Sequence, residues 1–319
     1  MKYHQLGNTS LHLSQLGVGT TTLGNMFGEL ELKEACNIVK TAFDLGMNWI
    51  DTSPYYGITK AESVLGEALK HLEQPREKYY IATKVGRYGV DSFDFSKNRV
   101  IQSVDESLKR MGIEYIDLIQ CHDIEFTNLD QIIHETLPAL AHLKESGKVR
   151  HIGITGYPMK IFKYILEHDR DHTVDSILSY CHYNLQNTTL LNIMPFLKER
   201  KVGIINASPL SMGLLTLGGS QSWHPAPQDI KDACAKAAAH CHSKGESIEK
   251  LGVQFALANP DIQTTLTGSK SVEEIRTNVQ WLNELETKGL NEQLLAEVQE
   301  ILTPVMNKSW TQGKLENND

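Results

Sequence analysis

The chain has 319 residues, of which 40% are hydrophobic and 22% are charged, and its formal net charge is −8. Apolar residues run along most of the length, which excludes an intrinsically disordered chain. No stretch approaches the ~18 consecutive apolar residues of a membrane-spanning helix. The acidic balance disfavours nucleic acid or an anionic membrane as a partner.

The residues at the amino end lack the apolar core of a secretory signal, and the five cysteines are scattered and odd in number. Such a set does not form a disulfide framework and is typical of reduced thiols. We therefore expect a cytoplasmic protein with free cysteines.

The predicted elements alternate with unusual regularity along the chain. A β-hairpin, with Met1–Gln5 and Leu11–Ser14 as its strands, precedes the main fold because Gly7 and Asn8 favour a turn. The predicted main strands are Leu16–Thr20, Trp49–Asp51, Tyr80–Lys84, Tyr115–Cys121, Val149–Ile154, Ile177–Tyr180, Gly203–Ala207 and Thr264–Thr267. The predicted helices are Leu32–Leu45, Ser63–Lys70, Lys97–Met111, Leu129–Ser146, Met159–Glu167, Leu190–Arg200, Ile230–His242, Ile248–Asn259, Val272–Leu285 and Glu292–Leu302.

Eight strands, each followed by helical segments, predict an α/β fold, a (β/α)₈ TIM barrel with an N-terminal β-hairpin and an extra C-terminal helix. No linker rich in Pro, Gly or Ser divides the chain, so we expect a single domain over residues 1–319. A doubly wound open sheet usually has fewer strands and a GxGxxG turn after the first. Here Gly17 and Gly19 lack the third glycine of that pattern.

Four residues at successive predicted strand ends point to proton transfer. In a TIM barrel the chemistry lies at the carboxyl ends of the strands, and there the sequence places Asp51, Tyr56, Lys84 and His122. The pKa of tyrosine is near ~10, and a lysine ammonium lowers it by stabilising the phenolate. An aspartate holds that lysine charged, and a histidine at the same rim can hydrogen-bond a substrate oxygen.

Each of these residues also has an ordinary structural interpretation. Asp51 precedes Thr, Ser and Pro and is a plausible helix cap, and a lone Lys84 is usually exposed to solvent. Four compatible residue types at neighbouring strand ends are a much rarer coincidence. The combination therefore favours an active site.

Four stretches carry a resemblance to a known family: residues 51–57 (DTSPYYG), 82–86 (ATKVG), 117–122 (DLIQCH) and 207–216 (ASPLSMGLLT). They resemble the signatures of aldo-keto reductases. The resemblance implies a barrel that binds NAD(P) across its rim without a Rossmann domain. It also implies that Asp51, Tyr56, Lys84 and His122 are the catalytic residues, with Tyr56 as the proton-transfer residue and Lys84 lowering its pKa.

The same resemblance implies which residues bind the cofactor. The asparagine that holds the nicotinamide carboxamide in many relatives is absent, because Thr155 and Gly156 follow strand five, and Ser179 or Cys181 is expected to replace it. The segment after strand seven would wrap the pyrophosphate, and the segment after strand eight would hold the adenosine phosphate at a helix start. The predicted cofactor-binding residues are Gly19, Thr20, Thr155, Ser179, Ser208, Leu210, Gly213, Leu214, Gly268, Ser269, Lys270, Glu274 and Asn278.

The residue four positions before Asn278 bears on the choice between NAD and NADP. NADP-preferring relatives commonly have an arginine there, and this chain has Glu274, whose carboxylate would repel a 2′-phosphate. Lys270 favours the opposite choice, and Glu274 could also be part of a solvated helix face. We predict NAD as the cofactor, with NADP possible.

Further stretches (residues 121–126, 153–156, 179–183 and 223–226) resemble aldo-keto reductases that oxidise sugars. The resemblance implies NAD-dependent oxidation of an aldose at C1, L-galactose to its lactone, with His122, His182 and Trp223 at the substrate. The expected partner is therefore a small-molecule sugar, with neither nucleic acid nor membrane, and the protein is expected to be a monomer or a homodimer.

Other functions remain open at this stage. The enzyme could be a broader aldose or aldehyde reductase or dehydrogenase, acting on L-fucose, D-arabinose or pyridoxal, and a non-catalytic NADP-binding subunit would keep the same cofactor residues. The pairs Cys121–His122 and Cys181–His182 suggest a zinc site, but adjacent strand residues point to opposite faces and zinc needs three or four ligands. Lys84 could also be a Schiff-base lysine.

Overall fold

The computed structural model describes residues 1–319 as a closed barrel of eight parallel strands, preceded by a two-stranded antiparallel sheet. The small sheet pairs β1 (Tyr3–Gln5) with β2 (His12–Ser14). Strand order around the barrel follows the sequence, and β10 closes it against β3. The barrel strands are β3 (Leu16–Gly19), β4 (Trp49–Asp51), β5 (Tyr80–Val85), β6 (Ile116–Cys121), β7 (Val149–Gly156), β8 (Ser176–Tyr180), β9 (Gly203–Ala207) and β10 (Thr264–Gly268).

The helices follow the strands in the alternation that the sequence predicts, and the TIM-barrel prediction is confirmed. Amphipathic helices bury their apolar stripe against the barrel wall, as α3 does with Val100, Val104 and Met111, whereas α8 and α11 bury theirs against each other. No helix is long and apolar enough to cross a membrane. The helices are α1 (Leu32–Asp44), α2 (Lys60–Leu69), α3 (Lys97–Met111), α4 (Leu129–Gln131), α5 (Leu137–Glu145), α6 (Met159–His168), α7 (Met194–Glu199), α8 (Gln228–Ser243), α9 (Ile248–Leu257), α10 (Val272–Lys288) and α11 (Glu292–Leu302).

Two predicted helices are interrupted in the structure. The helix expected over Leu129–Ser146 has a π-helical turn, Ile132–Thr136, between α4 and α5. The helix expected over Leu190–Arg200 begins as a 3₁₀ turn, Thr189–Asn192, before α7. A proline stands in the first turn of both α5 and α7. Since proline donates no backbone hydrogen bond, a continuous α-helical ladder cannot pass through it.

Side chains inside the barrel form an apolar layer at its amino-terminal end. Leu6, Leu11 and Leu13 of the hairpin segment close that end. One inward-facing residue from each of six strands packs against them: Trp49, Ala82, Leu118, Leu178, Ile205 and Leu266. Because side chains alternate along a strand, the residues two positions further on also face inward, toward the barrel mouth.

The second inward-facing layer, toward the barrel mouth, is polar, in contrast to the apolar layer beneath it. Asp51 follows Trp49, Lys84 follows Ala82, and Gln120 follows Leu118, each after one intervening residue. The barrel therefore places a charged layer on top of a dry apolar layer, directly beneath the mouth.

The large indole of Trp49 requires a glycine on the neighbouring strand. A Cβ on Gly17 would lie 2.1 Å from Trp49 Nε1, which donates a 2.9 Å hydrogen bond to Thr264 Oγ1. Since a real Cβ cannot approach so closely, any side chain at position 17 would displace the indole and break this bond.

We predict that Gly17→Ala lowers the free energy of unfolding by about 1–3 kcal/mol or more, the usual cost of overpacking a filled core. Thermal unfolding followed by circular dichroism measures the effect. Gly218→Ala is the matched control, since nothing lies within 4 Å of a Cβ at that position. Equal melting temperatures for Gly17→Ala and the control would show that the indole moves freely.

Candidate active site

A buried ammonium group lies at the centre of the polar layer. Lys84 Nζ donates hydrogen bonds to Asp51 Oδ1, to the carbonyl oxygen of Thr52 at 2.8 Å and to the hydroxyl oxygen of Tyr56 at 3.2 Å. Lys84 and Asp51 are almost completely buried. Burial alone would lower the pKa of Lys84, but the Asp51 carboxylate and Tyr56 raise it above its usual value. The lysine is therefore held as an ammonium with all three N–H groups used.

Gln120, which the sequence analysis did not select, completes the shell of Asp51. Its Nε2 donates a 2.7 Å hydrogen bond to Asp51 Oδ2, so that both carboxylate oxygens have a donor. The signal was present in the sequence, because Leu118, Gln120 and His122 share one face of β6 and its extension. A polar residue between an apolar inward position and a rim histidine marks the same layer.

Tyr56 reaches Lys84 from the loop that follows β4. Gly57, Ile58 and Thr59 all have positive φ angles, which turns the chain sharply after the tyrosine. A Cβ on Gly57 would lie 2.2 Å from the carbonyl oxygen of Gly24, so the two loop backbones touch there. This contact fixes the loop and directs the Tyr56 hydroxyl toward the ammonium.

Lys84 lowers the pKa of Tyr56, as expected, but its effect is smaller than that of burial. Burial raises the pKa of Tyr56 to about 12, and Asp51 and Asp123 add to the increase, whereas Lys84 opposes it. A single ammonium already paired with a carboxylate therefore does not outweigh desolvation of the phenolate.

We predict that Tyr56 stays a neutral phenol up to about pH 10 in the protein without cofactor, because its pKa lies near 12. Ultraviolet difference titration of the wild type against Tyr56→Phe measures this directly. The two titration curves should coincide below that pH. A phenolate band that appears near pH 8 in the wild type and is absent from Tyr56→Phe would contradict the prediction.

His122 follows β6 and lies beside Tyr56 in the mouth. The two ring centroids are 5.6 Å apart with the planes at 86°. The imidazole is 3% exposed, and its Nδ1 lies 2.9 Å from Ser53 Oγ. Burial lowers the pKa of His122 to about 3, with Lys84 and Arg87 contributing and Asp123 opposing. The ring is therefore neutral throughout the physiological range.

A second ion pair, also missed by the sequence analysis, lines the mouth next to His122. Arg87 Nη1 lies 2.5 Å from Asp123 Oδ2, and the guanidinium stacks on the Tyr55 ring at 3.9 Å. The predicted cofactor residue Thr155 is bound to this pair, since its Oγ1 accepts a hydrogen bond from the Asp123 amide at 2.9 Å. The sequence signal for Asp123 was its place directly after His122, at the end of a predicted strand.

The predicted pyrophosphate segment has an unusual backbone. Ser208, Ser211, Met212 and Gly213 all have positive φ angles within six residues. These residues turn the chain sharply, and the amides of Ser211, Gly213 and Leu214 donate hydrogen bonds to carbonyl oxygens within the segment. Ser211 Oγ is buried there without a hydrogen-bond partner. The unpaired polar group of this segment, which also contains Leu210 and the buried Leu214, is therefore the Ser211 hydroxyl.

The predicted adenosine-phosphate segment forms the start of α10. Ser271 Oγ accepts a hydrogen bond from the Glu274 amide, and Glu274 Oε2 accepts one from the Lys270 amide at 2.7 Å. Asn278 is buried and donates at 3.4 Å to both Thr267 Oγ1 and Ser269 Oγ. Glu274 is therefore a helix-capping residue as well as a charge at this end of the site.

The remaining predicted cofactor residues occupy different environments. Gly19 and Gly268 are neighbours at the ends of β3 and β10, where they leave bare backbone. Thr20 is fully buried and holds the carbonyl oxygen of Asp51 through its amide and its Oγ1. Ser179 alternates with the inward-facing Leu178, so the structure does not bring it to the mouth. The inward residue at the end of β8 is Tyr180.

Two predicted substrate residues pack against aromatic rings other than that of Tyr56. His182 is buried, with Nδ1 on the Tyr180 carbonyl oxygen and its ring edge against Tyr157. Trp223 is half-exposed and packs on Phe27, 5.8 Å between ring centroids. Only His122 of the three predicted substrate residues belongs to the polar layer.

The geometry of the site bears on the zinc site and on the Schiff-base lysine that the sequence left open. The structure contains no cluster of three or more His, Cys, Asp and Glu side chains that could hold a metal ion. A Schiff-base lysine must be neutral to attack a carbonyl, whereas the contacts of Lys84 favour its charged form.

Comparison with known proteins identifies the family. The profile of the Aldo/keto reductase family matches residues 15–302. The chain belongs to the aldo/keto reductase family. It is therefore an oxidoreductase, and members of this family bind a nicotinamide cofactor.

The curated relatives of this aldo-keto reductase include sugar dehydrogenases. It is 51% identical to the L-galactose dehydrogenase of Arabidopsis thaliana over 97% of this chain and 96% of that protein. The D-arabinose 1-dehydrogenase of Saccharomyces cerevisiae is 33% identical over 87% of each chain. A solved aldo-keto reductase from Bacillus halodurans in its holo form superposes with a TM-score of 0.79 at 26% identity, over 98% of this chain and 99% of that one.

Proposed function

We propose that this aldo-keto reductase is an NAD-dependent aldose dehydrogenase that oxidises a sugar such as L-galactose at C1 to the lactone. The observation that carries the proposal is the hydrogen-bonded group of Asp51, Lys84 and Tyr56, with the neutral His122 beside it at the barrel mouth. The identity to an L-galactose dehydrogenase along nearly the whole chain supports the choice of substrate.

In this proposal Tyr56 is the proton acceptor for the C1 hydroxyl group. When bound, a nicotinamide would supply the hydride acceptor and, in its oxidised form, a positive charge. That charge would act together with Lys84 to lower the pKa of Tyr56 from about 12 toward the working pH. Asp51 keeps Lys84 charged and in place, and Gln120 keeps Asp51 oriented.

Polar groups beside Tyr56 suit a polyol substrate. His122 is neutral and can hydrogen-bond the reacting oxygen without adding a charge. Arg87 and Asp123 offer a donor and an acceptor at the rim, since neither is completely enclosed. Sugars present several hydroxyl groups that both donate and accept, and buried polar groups of this kind discriminate strongly between hydroxylated substrates and others.

The dinucleotide would lie between the ends of β9 and β10. The segment of residues 208–213, with the unpaired Ser211 hydroxyl, would hold the pyrophosphate, and the start of α10, with Ser269, Lys270 and Asn278, would hold the adenosine end. The Glu274 carboxylate already accepts the Lys270 amide hydrogen bond, so a 2′-phosphate there would meet a negative charge and an occupied donor.

An aldose panel tests the proposed function. Wild-type protein with NAD⁺ should form NADH with L-galactose, and secondarily with L-fucose or D-arabinose. Tyr56→Phe should lower kcat by at least about 10²-fold, the usual effect of losing a general acid–base group, without weakening NAD⁺ binding. Faster turnover of pyridoxal or another aldehyde than of every sugar would refute the sugar assignment. Wild-type turnover in Tyr56→Phe would refute the role of Tyr56.

A second experiment tests the cofactor. The wild type should favour NAD⁺ over NADP⁺ in kcat/KM by roughly ten- to hundredfold, since a partly screened carboxylate–phosphate repulsion is worth about 1–3 kcal/mol. Glu274→Arg should narrow this ratio by about tenfold or more. Glu273→Arg is the matched control, because Glu273 is an exposed neighbour with the same charge. Equal shifts in the two variants would mean that only net charge matters.

A further inference from the structure

Ser53 makes two hydrogen-bond contacts around a single oxygen. Its Oγ lies 2.9 Å from His122 Nδ1 and accepts a hydrogen bond from the Tyr55 amide at 3.1 Å. The serine is completely buried. It belongs to the loop that carries Tyr56, so this contact joins the loop after β4 to the histidine after β6.

The number of donors and acceptors decides which atom carries the proton. A serine hydroxyl has one proton to donate and two lone pairs to accept with. The Tyr55 amide, which can only donate, takes one lone pair. If His122 Nδ1 were also a donor, the Ser53 proton would need another acceptor, and none lies within hydrogen-bond distance of it. If the hydroxyl donates to Nδ1, every group is satisfied.

The opposite side of the imidazole favours the same arrangement. His122 Nε2 faces Asp123 Oδ2 at 3.6 Å. Burial disfavours a charge on Asp123, but the Arg87 guanidinium, which contacts this same oxygen, helps to hold the pKa of Asp123 below its usual value, so the oxygen belongs to a carboxylate. A bare Nε2 would place its lone pair against that negative charge, whereas an Nε2–H group is attracted to it.

We infer that Ser53 is a positioning residue that fixes the neutral imidazole of His122 as the tautomer protonated on Nε2. The mouth then presents a hydrogen-bond donor on the imidazole that lies beside the Tyr56 ring. This tautomer follows from contacts within the chain, while its use in sugar oxidation rests on the proposed function.

The tautomer matters because charge develops on the substrate oxygen as Tyr56 removes its proton. An Nε2–H group stabilises that negative charge, whereas an Nε2 lone pair would repel it. The hydrogen bond from a neutral donor to the reacting oxygen is strongest when the negative charge on that oxygen is largest. Loss of Ser53 should therefore lower kcat more than it raises KM for the sugar.

The first test needs neither activity nor a variant of Ser53. In wild-type protein labelled with ¹⁵N-histidine, a long-range ¹H–¹⁵N spectrum at neutral pH reports which ring nitrogen carries the proton. The His122 signals are assigned by their absence from His122→Asn. We expect a protonated Nε2 and an unprotonated Nδ1 for His122. A protonated Nδ1 overturns the inference, whether or not any sugar is oxidised.

The second test removes the hydroxyl and then restores it. Ser53→Ala should lower kcat by about tenfold, the upper range for one neutral hydrogen bond, and should mix or reverse the His122 tautomers in the same spectrum. Ser53→Thr keeps a hydroxyl and should recover both. Ser176→Ala is the control, because that buried hydroxyl lies at the start of β8 and has no hydrogen-bond partner.

Two results of the second test would refute the role of Ser53. One is a wild-type tautomer in folded Ser53→Ala, which would mean that Asp123 alone holds the ring. The other is an equal loss of kcat in Ser176→Ala, which would mean that any buried serine has the same effect. If Ser53→Ala does not fold, the wild-type spectrum alone decides.

Discussion

The buried contact between the Lys84 ammonium and the Asp51 carboxylate is the constraint on which the mouth of the barrel depends. An unpaired charge in such a place would cost several kcal/mol, and removal of one partner from a buried pair is usually strongly destabilising. Hydrogen bonds to every remaining polar atom of the pair offset this cost, and they come from Thr52, Tyr56 and Gln120. The strands that carry the pair must therefore keep their register.

That register is maintained from below. The apolar layer of Trp49, Ala82 and Leu118 lies under Asp51, Lys84 and Gln120, with one layer residue beneath each polar one. A slip of one residue in any of these strands would turn both sets of side chains out of the barrel, since side chains alternate between the two faces. The amino-terminal hairpin segment closes the layer with three leucines. These leucines lie at the opposite end of the barrel from the mouth, and they keep water out of the layer beneath the ion pair.

The barrel, its strand ends and the four residues at the mouth were predictable because each leaves a periodic or positional mark in the sequence. Gln120 left such a mark too, as the residue between Leu118 and His122 on one face. Ser53 left none, because its value lies in a contact with a residue 69 positions away. The pKa of Tyr56 could not be predicted either, since it depends on how completely the packed loops desolvate the phenol. A lysine at the neighbouring strand end does not reveal the extent of that desolvation.

The pKa values of the two titratable rings at the mouth are shifted by the same cause, in opposite directions. Both shifts suit the same reaction. Burial raises the pKa of Tyr56 to about 12 and lowers that of His122 to about 3, because in each case it disfavours the charged form. Without a cofactor both rings are neutral across the physiological range. A positive charge brought beside them by an oxidised nicotinamide would favour the Tyr56 phenolate and disfavour protonation of His122. The same bound charge would therefore prepare the tyrosine to accept a proton and keep the histidine neutral as a hydrogen-bond donor. In the proposed oxidation, proton transfer to Tyr56 would thus depend on the bound cofactor as well as on Lys84.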